Sequence, residues 1–98
     1  MDHIKPSIRY HDFRKTLMGQ RRGHWLVYHE GNLAVAREAN REVDLIGRIC
    51  RGLQENGRVV LMQKRNAEGV MQYLLRPIVK LLEEDLNEAM ILTVPPRG

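Results

Sequence analysis

Four arginines recur at helical spacing in one segment of the chain, and guanidinium groups neutralise phosphates. The segment 37–56 is REANREVDLIGRICRGLQEN, and Gly57 follows it. On a helix that turns about 100° per residue, the four side chains fall within an arc of about 80°. They are Arg37, Arg41, Arg48 and Arg51. The spacing therefore predicts a surface for an anionic partner, with nucleic acid as the main candidate.

The same segment also has an apolar side, nearly opposite the arginines. It consists of Ala39, Val43, Ile46, Cys50 and Leu53. This pattern is typical of an amphipathic helix that packs on a core. The outer face of such a helix is usually charged and solvated whatever the protein does. Four acidic residues in the segment match the arginines in number, so a solvated face and a nucleic-acid face both remain open.

Catalytic or metal chemistry has little support in the sequence. None of the four histidines, which are His3, His11, His24 and His29, pairs with another at the i, i+4 spacing of a helical zinc motif. The phosphate-binding loop GxxxxGK[ST], the nucleophile motif GxSxG and the CxxC motif are all missing from the sequence. The acidic run 83–85 is expected to be solvated. We therefore predict a protein that is not an enzyme and needs no metal or cofactor.

Composition indicates one domain over residues 1–98, with flexible ends at 1–6 and 95–98. The net charge of +4 favours attraction to polyanions. Cys50 is the only cysteine, so no intrachain disulfide can form, and its place on the apolar side predicts a buried thiol. No apolar run is long enough to span a membrane, and the N-terminal residues lack the apolar core of a signal peptide. We expect a cytoplasmic protein that does not enter membranes.

The central helix and a hairpin after it are the clearest elements. The helix should end near Asn56, because Gly57 suits the position just after a helix. The segments 58–65 and 70–76 each contain an apolar run, which in 58–65 begins with two β-branched residues, and the loop NAEG between them contains glycine. They are predicted to pair as a hairpin. A period of two puts Val59, Leu61 and Gln63 on one face and Val60, Met62 and Lys64 on the other.

The N-terminal part allows two interpretations. Residues 8–18 are predicted to be a helix with Ser7 as its N-cap, and residues 24–30 are predicted to be a strand. The segment 33–36 then either pairs with that strand as a hairpin or starts a helix capped by Asn32. Both alternatives fit the sequence.

A C-terminal helix is predicted from Pro77 to about Met90, because proline suits the first helical turn and apolar residues follow at helical spacing. Residues 91–94 are expected to add a short strand. Charge is uneven along the chain: 1–36 and 58–76 each carry +3, whereas 77–98 carries −2. This asymmetry predicts a basic face and an acidic face.

Together these elements predict an α+β fold: antiparallel β-hairpins with a central amphipathic helix, and a C-terminal helix packed on the sheet. A helix followed directly by a hairpin is also the arrangement of a winged helix, in which the helix enters the major groove. That arrangement requires another helix just before the central one. The segment 24–36, HWLVYHEGNLAVA, is strand-like and counts against the winged helix.

We therefore expect a small accessory or regulatory protein that binds DNA or RNA through phosphate contacts. The predicted contact residues are Arg37, Arg41, Arg48, Arg51, Lys64 and Arg65. The alternative is a protein-interaction module, either a homodimer or an adaptor that docks on a larger complex. In that case the hairpin would be covered by a second subunit through Val60, Met62, Met71, Tyr73 and Leu75.

Overall fold

The computed structural model describes residues 2–3 and 8–93, with side-chain environments for residues 8–91. The elements in chain order are β1 (Asp2–His3), α1 (Tyr10–Gly19), β2 (Leu26–Glu30), α2 (Leu33–Ala39), α3 (Arg41–Glu55), β3 (Val59–Arg65), β4 (Met71–Pro77) and α4 (Glu83–Thr93). The strand order in the sheet is β1-β2-β4-β3, and only β1 and β2 run parallel. The predicted α+β fold, with helix packed on an antiparallel sheet, is confirmed.

The hairpin of β3 and β4 forms as predicted. Its register pairs Leu61 with Leu75 and Arg65 with Met71. In the turn, the side-chain oxygen of Asn66 accepts hydrogen bonds from the backbone N–H groups of residues 68 and 70. Gly69 has φ +82°, a conformation that suits glycine. The turn chemistry of NAEG thus sets the register of the two strands.

Helix α3 lies at the centre of the core. Its apolar side is buried at Ile46, Cys50 and Leu53, as predicted. The core joins this side of α3 to residues from α1, α4 and one face of the sheet, including Phe13, Leu75 and Leu86. At Gly52 the helix meets α4 so closely that an added Cβ would lie 2.1 Å from the carbonyl oxygen of Ala89. Glycine is therefore needed where the two backbones cross.

The predicted continuous helix over 37–56 is wrong at Asn40. This residue has extended backbone angles, φ −140° and ψ 115°, so it ends α2 and begins α3. Its side-chain oxygen accepts hydrogen bonds from the N–H groups of Glu42 and Val43. Such an N-cap contributes about 1 kcal/mol to helix stability. As a result Ala39 lies on α2 and is exposed, outside the apolar side to which the sequence pattern assigned it.

Between the two interpretations of 33–36, the structure selects the helix. Asn32 caps α2 through a 3.1 Å hydrogen bond from the N–H of Val35 to its side-chain oxygen. The hairpin of 24–30 with 33–36 is therefore wrong. The predicted strand itself forms as β2, which pairs with β4 instead and shifts register between Val27 and His29.

Helix α1 was predicted over 8–18 and extends over Tyr10–Gly19. Its N-cap is Arg9, which makes no side-chain capping bond, and Ser7 lies outside the described residues. Phe13 and Leu17 are fully buried, so α1 packs on the core through the predicted spacing.

The C-terminal helix begins six residues later than predicted, at Glu83 instead of Pro77. Pro77 ends β4 opposite Val59, where its carbonyl accepts a hydrogen bond from the N–H of Gly23. The run 83–85 was predicted to be solvated, but Asp85 is buried. Its carboxylate accepts a hydrogen bond from the Leu82 N–H and lies 3.4 Å from Nε of Arg58, and these partners compensate for its burial.

Residues 91–93 continue α4, so the predicted strand over 91–94 is wrong for these three residues, and Val94 lies outside the described part. The predicted flexible ends, 1–6 and 95–98, also lie outside it, apart from the two residues of β1.

Candidate nucleic-acid interface

The exposed edge of α3 carries the charged stripe. Three predicted contact residues lie along it, namely Arg41, Arg48 and Arg51, and two carboxylates lie between or beside them, Asp44 and Glu55. These positions recur every three or four residues, so their side chains share one side of the helix. The six buried residues of α3 lie on its other sides. The helix therefore offers one narrow polar edge.

Asp44 joins arginines from two helices. Its two oxygens lie 2.9 Å from Nε of Arg37 on α2 and 2.8 Å from Nε of Arg48 on α3. The hydrogen bond from Arg48 and then that from Arg37 hold the pKa of this carboxyl below its usual value, although partial burial opposes the shift. Two cations and one anion leave a net charge of +1 at this position. We call these three residues the Asp44 clamp.

The break at Asn40 positions Arg37 for this clamp. Because α2 and α3 are separate helices, the side chain of Arg37 crosses α3 beside Gly47. A Cβ on Gly47 would lie 3.2 Å from Cδ and Nε of Arg37, so the missing side chain leaves room for the crossing. A continuous helix would have placed Arg37 on the stripe without this contact.

The remaining arginines of α3 are more exposed. Arg51 lies next to Glu55, with 3.4 Å between Nε and a carboxylate oxygen, and its side chain is 71% accessible. Arg41 is also exposed, at the first residue of α3. Both side chains can form new ion pairs at little cost in free energy, because exposed ion pairs contribute at most about 1 kcal/mol.

The two basic residues of the hairpin lie on different faces of the sheet. Arg65 shares a face with Leu61 and Gln63, on the side of α3, and its Nη1 donates a 2.8 Å hydrogen bond to the Gly69 carbonyl. Lys64 lies on the opposite face, with Met62. The structure therefore brings Arg65 to the helix side of the hairpin and separates Lys64 from the arginines of α3.

A groove of about 560 Å³ lies between α3 and the hairpin. We call it the α3–β3 groove. Its lining residues are Tyr28, Leu33, Arg37, Gly47, Arg51, Gln54, Leu61, Met62, Gln63 and Tyr73. The rings of Tyr28 and Tyr73 are 6.2 Å apart and tilted by 53°. The groove thus combines two guanidinium groups, two amides and an aromatic pair.

Two groups near the groove are held in their neutral forms. Burial raises the pKa of the Tyr28 hydroxyl well above its usual value, and the nearby Cys50 thiol adds to the shift. Burial likewise raises the pKa of the Cys50 thiol, while Arg37 opposes the shift. A fully buried thiol in this state is a poor nucleophile. Tyr28 therefore lines the groove as a neutral phenol, and neither group is suited to covalent chemistry.

The sequence pattern alone missed the groove. The amides of Gln54 and Gln63 and the ring of Tyr73 were not recognised as parts of one site. Period two already placed Gln63 on the face of Leu61, opposite Lys64, and that signal was sufficient to separate the two faces. The other signal was Asn40, a strong N-cap type, whose effect is to detach Arg37 from α3.

The five hairpin residues predicted as a dimer contact do not form one surface. Met71, Tyr73 and Leu75 face the helices, and Val60 and Met62 face the other way. Leu75 is fully buried by its own chain, so it is not available to a second subunit. Only Val60 and Met62 remain on the face away from the core.

In the part of the chain that the structure describes, no cluster of three or more histidine, cysteine, aspartate or glutamate side chains is arranged to hold a metal ion. None of the helices there is long and apolar enough to cross a membrane. Comparison of the chain with protein-family models, with curated proteins and with solved structures found no match.

Proposed function

We propose that the protein is a non-enzymatic nucleic-acid-binding module that contacts phosphates through the exposed edge of α3. The observation that carries this proposal is the Asp44 clamp, in which one carboxylate holds the guanidinium groups of Arg37 and Arg48 together. Arg41 and Arg51 flank the clamp on the exposed edge of α3. Fixed guanidinium groups lose less conformational entropy on binding than free ones. The chain as a whole carries +4, which adds long-range attraction.

The exposed edge of α3 contacts the phosphate backbone of the nucleic acid and does not enter a groove. A winged-helix mode would place α3 in a major groove, and α2 does supply a helix directly before α3. However, α3 is buried on most sides, and α4 crosses it at Gly52. Its free edge is too narrow for deep insertion. Phosphate contacts need only an exposed row of cations, and these contacts carry affinity without sequence specificity.

The test is equilibrium binding to duplex DNA, single-stranded DNA and single-stranded RNA, measured by fluorescence anisotropy at low salt. The test variant is Arg41→Gln with Arg51→Gln, because both side chains are exposed and their loss leaves the Asp44 clamp intact. Removing two phosphate contacts should weaken binding about ten-fold or more at low salt, for every sequence tested. The thermal melt should change little, because exposed ion pairs contribute little to stability.

The matched control is Arg21→Gln with Arg22→Gln. It changes the net charge by the same amount on an exposed loop, and that loop is tied to the Pro77 end of β4, far from the hairpin turn. The proposal expects a smaller loss of affinity from this variant. Equal losses from both variants would mean that net charge alone attracts the nucleic acid. Absence of binding by the wild-type protein to all three nucleic acids would end the proposal.

A second candidate function is self-association through the outer face of the sheet. The core cluster uses the helix-facing side of the sheet. On the outer face, Met62 is 39% exposed opposite buried Leu74, and half-buried Val60 lies opposite Arg76. A second copy packed on this face would bury Met62 and the exposed part of Val60 without changing the basic edge of α3. Size exclusion with light scattering at low and high salt tests this. A salt-stable dimer that Met62→Glu converts to a monomer would support it.

A further inference from the structure

The α3–β3 groove has the mixed chemistry of a nucleotide site. Pockets for small ligands typically enclose about 300–1,000 Å³ and combine apolar walls with a few placed polar groups. The groove, at about 560 Å³, lies within that range. Two arginines and two tyrosines line this space together. The arginines suit the phosphate of a nucleotide, and the tyrosines suit its base.

The cationic part of the groove has unused donors. Arg37 binds Asp44 through Nε, and Arg51 approaches Glu55 through Nε. Among the described residues, the Nη groups of these two arginines donate no hydrogen bond. A guanidinium has five N–H donors, so each arginine retains donors for a phosphate while its carboxylate partner holds it in place.

The opposite wall of the groove carries aromatic and aliphatic side chains. Tyr73 is half-buried, and its ring lies beside those of Tyr28 and His29. Leu61 lies near it on the same face of the sheet. A tyrosine ring of this kind binds a nucleobase by stacking, which accepts any base because each base has a π-face. The amides of Gln54 and Gln63 can donate to and accept from the edge of a base.

We propose that the α3–β3 groove receives one unpaired nucleotide of a single-stranded nucleic acid, with its phosphate at Arg37 and Arg51 and its base against Tyr73. This inference rests on the proposed nucleic-acid-binding function and specifies its ligand. A base in a duplex is paired and stacked, so it cannot enter a groove between a helix and a sheet. Arg41 and Arg48 continue the row of cations along α3 beyond the groove, where they meet neighbouring phosphates of the same strand.

The experiment measures affinity for a labelled single-stranded oligonucleotide and for its duplex, with the full-length protein. Gln63→Glu adds one negative charge to the groove at almost constant volume. Lys64→Gln changes the net charge equally on the adjacent residue, which lies on the opposite face of the sheet. The inference expects Gln63→Glu to weaken single-strand binding about five-fold or more through repulsion of the phosphate, and Lys64→Gln to weaken it less than about two-fold.

A second variant tests the stacking wall. Tyr73→Leu keeps an apolar side chain on the helix-facing side of β4 and removes the ring. Loss of one stacked base should weaken single-strand binding about five-fold or more, and duplex binding much less. Circular dichroism and thermal melting of each variant confirm that the fold is intact. Gln63 is exposed, so Gln63→Glu keeps the test valid even if Tyr73→Leu does not fold.

The outcomes separate this inference from the proposed function. Loss of single-strand affinity in Gln63→Glu and not in Lys64→Gln supports the inference. Equal binding of duplex and single strand, with no selective effect of Gln63→Glu, overturns the inference and leaves the proposed function standing. Absence of binding to either form overturns both. Competition by free AMP as effective as that by the oligonucleotide would also overturn it, because the site would then take a free nucleotide and not a strand.

Discussion

The close crossing of α3 and α4 at Gly52 gives a sharp prediction. At Gly52 an added Cβ would lie 2.1 Å from the Ala89 carbonyl oxygen and 2.6 Å from the carbonyl carbon. Both atoms belong to the backbone of α4, which cannot rotate away as a side chain can. To restore ordinary van der Waals contact, α3 and α4 must separate by about 1 Å or more. Gly52→Ala should therefore loosen the packing of Leu53 and Leu86 in the core.

The magnitude follows from two opposing terms. Replacing glycine by alanine inside a helix stabilises it by about 1 kcal/mol. Overpacking a rigid contact costs about 1–3 kcal/mol, and the short distance to backbone atoms places Gly52 at the upper end or beyond it. We expect a net loss of about 2 kcal/mol in the free energy of unfolding. For a domain of this size that corresponds to a decrease in Tm of about 8–16 °C.

Gly47→Ala is the matched control on the same helix. It has the same helix-propensity gain, but its Cβ would meet the flexible side chain of Arg37 at 3.2 Å. That side chain can shift by a few tenths of an ångström, so the unfolding free energy should stay within about 1 kcal/mol of the wild type. Urea denaturation followed by far-UV circular dichroism measures both variants. A Gly52→Ala protein as stable as Gly47→Ala would refute the close crossing of α3 and α4.

Two further predictions concern the junction of α2 and α3. Asn40→Ala should lower the free energy of unfolding by about 1 kcal/mol, because the N–H groups of residues 42 and 43 lose their cap; urea denaturation measures it, and no loss would argue against the break. Asp44→Asn should cost about 1 kcal/mol at neutral pH, a value reduced for partial exposure. Because the folded-state pKa of Asp44 is lowered, this contribution exists above about pH 4 and disappears as the pH falls through the folded value. Melts of wild type and variant should therefore converge at acidic pH, and a constant difference would contradict the clamp.

The elements predicted correctly are those determined by residues close together in the sequence. The hairpin of β3 and β4 followed from two apolar runs and a glycine-containing loop, and the end of α3 followed from Gly57, whose φ is +70°. The buried side of α3 followed from helical periodicity. In each case the residues that set the structure lie within a few positions of one another, so no tertiary information was required.

The wrong element boundaries lie at residues whose type fits two different local structures. Pro77 fits the first turn of a helix, but its fixed φ also fits the end of a strand, and the choice depends on pairing with Val59. Asn40 interrupts an apolar and charged period that continues on both sides of it. Asn40 is also a strong N-cap type, so the local sequence is compatible with one continuous helix and with a break at Asn40.

The candidate site was predicted only in part. The sequence placed four arginines on one side of a helix, and the exposed edge of α3 carries three of them. The sequence did not show that Arg37 crosses α3 or that Tyr73 lines the same groove. Both positions depend on how the other elements pack on α3. Alternation along β3 separated Lys64 from Gln63, but Leu61 and Met62 are both apolar, so the sequence alone could not show which face meets α3.

The most direct test of the account is the salt dependence of binding to a single-stranded oligonucleotide. The logarithm of the association constant should fall linearly with the logarithm of salt concentration, by about 0.7 per phosphate contact on a single strand. For the variant Arg41→Gln with Arg51→Gln, we expect a slope shallower by about 1.4, because two contacts are lost. A slope identical to that of the wild type, or an affinity that does not depend on salt, would contradict phosphate binding by the exposed edge of α3.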